Sequence, residues 1–177
     1  MRESLPAGDR DPLIEAALAG DQGAVGRLID RLAAELLPFA SALTSGSAEA
    51  DVLVGDTLSR VHERLRQLQE PAAVSAWART ILLRRFLDHK RWELRRREVR
   101  LESVALTGEP ITSPELIDLR AALGGLDRQS RALVVLHYWR GLTLDETAAE
   151  LEIPVGTVRS RLGRILAKLR RTLGGDP

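Results

Sequence analysis

The side chains best placed to do chemistry in this chain are arginines, and the chemistry they suit is the binding of a polyanion. Between Val155 and Thr172 lie Arg159, Arg161, Arg164, Lys168, Arg170 and Arg171, with no acidic residue among them. A second basic block runs from Arg84 to Arg100. There Arg84, Arg85, Lys90, Arg91, Arg95, Arg96, Arg97 and Arg100 outweigh Asp88, Glu93 and Glu98. From Met1 to Thr57, by contrast, four Arg and no Lys face ten Asp or Glu, so a net charge of only +1 conceals strong segregation. Two separated basic blocks imply two places that meet a polyanion, although the Arg84–Arg100 block, taken alone, also reads as a solvated helix face. Other chemistries lack their residues. His62, His89 and His137 have no metal-ligand spacing, and the absence of Cys excludes disulfides and thiolate sites. No glycine-rich phosphate loop, nucleophile–base pair or carboxylate cluster is evident. Neither an enzyme nor a metal, cofactor or small-molecule site is expected.

The elements that present the Val155–Thr172 block are legible. Thr143 and Glu146 form a Thr-x-x-Glu capping box opening a short helix. Leu144, Ala148 and Leu151 give that helix its buried face, Glu152-Ile153 is a turn, and Pro154 suits the start of another helix. This is a helix-turn-helix whose second helix is of the kind that enters a DNA major groove. On that helix Val158, Leu162, Ile165 and Leu169 share one side, with Leu166 beside them, and must pack on the first helix. Gly156, Thr157, Ser160, Gly163 and Arg164 fall opposite, flanked by Arg159 and Arg161. The free face is thus small at its start, for close approach to a groove, and cationic along its length. Arginine reads guanine bidentately, while Thr157 and Ser160 suit phosphate or a thymine methyl. Arg170 and Arg171 read equally as a solvated tail.

Upstream, Asp11-Pro12 opens a short helix stopping near Gly20. Asp21 caps a second, with Val25, Leu28, Ile29, Leu32, Leu36 and Leu37 at helical spacing. Ser47 caps a third running to about Leu68 and burying Leu53, Leu58, Val61 and Leu65. After a loop at 69–73, a fourth carries Trp77, Ile81, Leu82 and Phe86 and continues to about Arg100. Trp77 and Trp139 are expected in the core. Residues 101–114 have no helical period and read as a linker, followed by helices over 116–123 and 128–138. Aromatics are only 3% of the chain, which suits helices better than sheets. The expected fold is all-α: a disordered 1–10, an N-terminal helical bundle over 11–100, a flexible linker over 101–114, and a C-terminal helix-turn-helix domain over 115–174. With no signal core and no apolar run of membrane-spanning length, a cytoplasmic protein without membrane insertion is expected.

The runs 126–136, 141–148 and 153–162, above all Gly156-Thr157-Val158-Arg159-Ser160-Arg161 after Ile153-Pro154, closely resemble the C-terminal DNA-binding domain of bacterial ECF (extracytoplasmic-function) sigma factors. Trp77, Ile81, Asp88 and Arg91 keep the spacing of that family's Trp-x-x-x-Ile helix, so the resemblance spans nearly the whole chain from about Asp11. It implies a specificity subunit of RNA polymerase whose N-terminal domain binds core polymerase and the −10 element while its C-terminal domain reads the −35 element. By position, Thr157, Arg159, Ser160, Arg161, Arg164 and Lys168 would contact −35 DNA. Arg84, Arg85, Asp88, Arg91 and Arg95 would lie along −10 DNA, and Asp51, Asp56, Thr57, Arg60 and Val61 would bind core polymerase. The loop 67–75 would cradle an unstacked base, although it has no aromatic to stack one. An anti-sigma protein is a further implied partner.

Some positions depart from the family pattern: Val52-Leu53-Val54-Gly55 stands for the usual Asp-Leu-Val-Gln, Leu58 and His62 for an aromatic pair, and Arg84 for an asparagine. Two other functions remain open at this point. One is a stand-alone helix-turn-helix regulator binding two-fold half-sites without polymerase. The other is an adaptor whose basic faces bind acidic protein.

Overall fold

The computed structural model describes residues 11–44, 47–88 and 121–172, all helix and connecting turn with no strand among them. The expected disordered N-terminus, the fourth helix beyond Asp88, the linker and residues 116–120 lie outside the described residues.

Helix α1 (Pro12–Leu18) is capped by Asp11, whose carboxylate accepts from the Leu13 N–H at 2.9 Å and pairs with Arg31 of the next helix. The chain turns at Gly20, φ +97°, a backbone conformation that a side chain would strain. Helix α2 (Gln22–Leu43) starts where Asp21 accepts from the Ala24 N–H at 2.7 Å and runs through Pro38 without stopping. Its apolar stripe is Val25, Leu28, Leu32, Leu36, Phe39 and Leu43, while the expected Ile29 and Leu37 are only partly buried. Helix α3 (Ser47–Arg64) gives way to a 3₁₀ turn, Leu65–Gln67. It buries Leu53, Val54 and Val61, with Leu58 at the edge. A 3₁₀ turn, Pro71–Ala73, leads into α4 (Val74–Leu87). That helix buries Ala78, Leu82, Leu83 and Phe86, which leaves Trp77 and Ile81 at the margin of the core.

Helix α5 (Arg128–Val134) is capped by Asp127, which accepts from the Ser130 N–H and hydroxyl. It continues as a π-turn, Val135–Trp139, rather than as a plain helix to Tyr138. This wider turn sets Trp139 outward: it is 52% exposed, not buried as expected, and only its ring face is covered, by Phe39. Helices α6 (Leu144–Leu151) and α7 (Val155–Thr172) complete the fold.

The buried residues form two clusters. The second holds Ala122, Leu126, Leu133, Val134, Ala148, Val158, Leu162, Ile165 and Leu169. The first joins α1–α4 but also takes in Ala132, Val135 and Leu136 from α5 and its π-turn. The sequence patterning suggests two units with separate cores. Instead, one side of α5 completes the N-terminal core while the other completes the C-terminal one.

Candidate nucleic-acid interface

The helix-turn-helix is set by local chemistry. The Thr143 hydroxyl accepts from the Glu146 N–H at 3.2 Å, and a Glu146 carboxylate oxygen accepts from the Thr143 N–H at 2.8 Å. That amide bond, and then the Thr143 hydroxyl, hold the Glu146 carboxyl below its ordinary range. Glu152 turns the chain with φ +54°, and the Pro154 carbonyl accepts from the Thr157 and Val158 amides at 2.9 and 3.2 Å to start α7. Pro154 therefore stands just before the first helical residue.

Helix α7 buries Val158, Leu162, Ile165 and Leu169, the apolar side expected from the wheel. Burying four such side chains contributes on the order of 6–12 kcal/mol before conformational entropy is subtracted, so the rotation of the helix is strongly specified. Gly156, Arg159, Ser160, Gly163, Arg164, Lys168, Arg170 and Arg171 are left exposed, with Thr157 and Arg161 half-buried. Two of the cations are tethered. Arg161 donates to Gln129 Oε1 at 2.6 Å, and Lys168 donates to the Gly125 carbonyl at 2.9 Å. Both line a cleft of about 450 Å³ with Asp127, Ser130 and Arg164. Burial alone would raise the Asp127 carboxyl; the two Ser130 bonds, helped by Arg161, bring it below its ordinary value. Arg159 stands clear on the helix start, and Arg164 leans on the Ser160 carbonyl of its own helix.

In the N-terminal half the candidates separate by burial. Thr57 and Val61 are fully buried, and the Thr57 hydroxyl donates to the Leu53 carbonyl at 2.7 Å. Their side chains lie in the core and help to position α3. Asp56 and Arg85, expected on two different interfaces, meet instead in one largely buried ion pair between α3 and α4, 2.9 Å apart. Arg60 is paired with Glu63 at 2.6 Å, and Asp51 is partly buried. Asp88 is exposed at the end of α4, and Arg84 is exposed but bonded to Glu152 at 3.1 Å. Arg91 and Arg95 lie outside the described residues.

Sequence reasoning missed Arg131. It is 7% exposed, and its guanidinium donates to the carbonyls of Leu123, Gly124, Leu126 and Leu43 at 2.9–3.1 Å. Burial lowers its pKa. The one signal available was an arginine among apolar residues, Arg131-Ala132-Leu133-Val134-Val135-Leu136.

Comparison with known proteins matches both halves. Residues 28–96 fit the family described as Sigma-70 region 2, and residues 122–171 fit Sigma-70, region 4. The ECF RNA polymerase sigma factor SigM of Mycobacterium tuberculosis is 31% identical over 163 residues, covering 92% of this chain and 83% of that protein. EcfG of Rhodopseudomonas palustris is 33% identical over 147 residues, 80% of each chain. Among solved structures, the sigma factor RpoE from Bartonella quintana, in complex with the anti-sigma factor NepR, matches with TM-score 0.63 and 27% identity over 86% of this chain and 98% of that one. CnrH in complex with the cytosolic domain of CnrY matches with TM-score 0.59 and 31% identity over 93% and 97%. The region 2 match occupies the half that a stand-alone regulator would use for dimerisation or sensing, and so disfavours that reading. With relatives on this scale along nearly its whole length, the chain belongs to the ECF RNA polymerase sigma factors.

Proposed function

We propose that this chain is an alternative sigma subunit that binds core RNA polymerase and directs initiation at promoters carrying its −10 and −35 elements, acting in the cytoplasm and without catalysis of its own. The observation that carries the reading is α7: its leucine side is locked into a core, which turns Arg159, Ser160 and Arg164 outward together. A duplex groove suits this face, because arginines on a narrow, small-residue surface reach base edges and phosphates at once. Arg161 and Lys168, held toward the Gly125–Gln129 edge, suit phosphate contacts beside the groove. The exposed end of α4 at Arg84 and Asp88 suits −10 DNA, and the accessible side of α3 around Asp51 and Arg60 suits polymerase. An anti-sigma protein is part of the proposal, supported by the related sigma factor RpoE, whose solved structure is a complex with the anti-sigma factor NepR.

The test is reconstitution with core polymerase on a promoter library, with transcript start sites read by sequencing. The expected result is a restricted promoter set, and Arg164→Ala is expected to change which −35 sequences are used. Loss that is uniform across all −35 sequences, or transcripts that do not depend on the chain, would overturn the proposal.

A further inference from the structure

Arg159 and Arg161 stand one residue before and one after Ser160, so at about 100° per residue they flank the outward centre of α7 symmetrically. Their surroundings are not symmetrical. Arg159 is exposed, with no bonding partner among the described residues. Arg161 is half-buried, and its guanidinium donates to Gln129 Oε1 at 2.6 Å, across the gap between α7 and the first turn of α5. Asp127 lines the same cleft, where the Arg161 charge acts on its carboxylate. Two helical turns further on, the Lys168 ammonium is held on the same side by the Gly125 carbonyl at 2.9 Å. Asp127 is committed to capping α5 through Ser130. Gln129 has no such duty: it is exposed, belongs to neither buried cluster, and among the described residues its side chain bonds to Arg161 alone. It holds the arginine without holding the fold.

From this asymmetry we infer that Gln129 is a positioning residue: it ties Arg161 to one wall of the interface, giving that arginine to a backbone phosphate and withholding it from base edges. Base reading then falls to Arg159, Ser160 and Arg164. The inference rests on the sigma reading and deepens it. A helix about 10–12 Å across fills a major groove about 12 Å wide, so its flanks face the sugar–phosphate walls and its outward centre faces the bases. A flanking arginine without a tether can still swing inward on its long stem and take a guanine bidentately. Arg161 has one terminal nitrogen spent on Gln129, and its planar fork turns as a unit, so the inward swing breaks that bond. The loss disfavours the swing roughly 2- to 12-fold.

Gln129→Met keeps the length of the side chain and removes the acceptor, while Gln129→Glu keeps the acceptor. At an exposed position neither alters stability much. The probe is a duplex library randomised over the −35 element, selected by the full chain assembled with core polymerase, and separately by the chain alone, then sequenced. Arg161→Ala is expected to weaken every −35 sequence by one common factor and to make the log–log salt slope shallower by about 0.9, the share of one phosphate. Gln129→Met is expected to raise the weight of guanine at one −35 position roughly 2- to 12-fold, and adding Arg161→Ala should abolish that gain. Gln129→Glu should keep the wild-type preference, at lower affinity because it adds a negative charge. A merely structural glutamine would change affinity and leave the chosen sequences alone. An unchanged preference in Gln129→Met, or a sequence-dependent loss in Arg161→Ala, would therefore overturn the inference. Failure to assemble with core polymerase would instead sink the sigma reading, leaving selection by the chain alone to test Gln129. Retention of no duplex by either form would overturn both.

Discussion

Replacing Arg131 by methionine should destabilise the fold by about 3–5 kcal/mol. The guanidinium gathers four carbonyls: Leu123 and Gly124 at the end of the helical turn 121–124, Leu126 in the turn that follows, and Leu43 at the end of α2. Helix ends leave such acceptors without intrahelical partners. Two of the four bonds, those to Leu43 and Leu126, are fully buried. Each acceptor orphaned there costs about 1–3 kcal/mol. The Leu123 carbonyl keeps the Leu126 amide as a donor, and the Gly124 bond is only partly buried, so these two add less. Methionine fills much of the stem's volume, and it removes the desolvation that lowers the Arg131 pKa, which offsets part of the loss. Set against typical total stabilities of 5–15 kcal/mol, the remainder is large. Urea unfolding followed by far-ultraviolet circular dichroism measures it. Arg131→Lys should recover about half, since one ammonium has three donors but cannot fan across four carbonyls. A loss below about 1 kcal/mol for Arg131→Met would refute the view that these carbonyls depend on this side chain.

Three further outcomes follow from the same geometry. Asp56→Ala should cost about 1–3 kcal/mol by removing a largely buried ion pair with Arg85, and the double change with Arg85→Ala should cost less than the sum of the singles, as a denaturation cycle would show. Thr147→Val should stabilise by about 1 kcal/mol, because the Thr147 hydroxyl is buried with no partner among the described residues; a fall in melting temperature would contradict this. Glu146, held below the ordinary carboxylate value by Thr143, contributes stability that is full above about pH 4.3 and disappears as pH falls through its lowered value. Glu146→Gln should therefore flatten the acid limb of stability against pH, and an unchanged limb would speak against the capping box.

What was legible in the sequence was what local chemistry decides. Asp11, Asp21 and Thr143 announce their helix starts because each side chain satisfies amides two or three residues away. The α7 stripe was legible because four aliphatic residues at helical spacing leave one rotation that buries them. Tertiary geometry was not. Asp56 and Arg85 are 29 residues apart, and nothing local says they meet. Trp139 looked like core, but a π-turn rotates it outward against Phe39, a residue 100 positions earlier. Arg131 drew no reading of its own because its acceptors are carbonyls, which carry no residue-type signature.

Gly163 offers the sharpest separation of fold from function. It lies in the interior of α7, where glycine is about 1 kcal/mol worse than alanine. A methyl group there would meet no atom within 4 Å. The fold thus gives no reason for glycine at this position, and Gly163→Ala should raise stability by about 1 kcal/mol, a gain of roughly 2–4 °C in melting temperature for a chain of this size. The residue shares the outward face with Ser160 and Arg164. If that face lies against a duplex, the added methyl stands between backbone and groove, so the more stable variant should bind −35 DNA less tightly. The two measurements must move in opposite directions. A variant that gains stability and keeps its −35 affinity would mean that the backbone of α7 never comes close to the groove, and contacts at Arg159 and Arg164 would then have to be made at the full reach of their side chains.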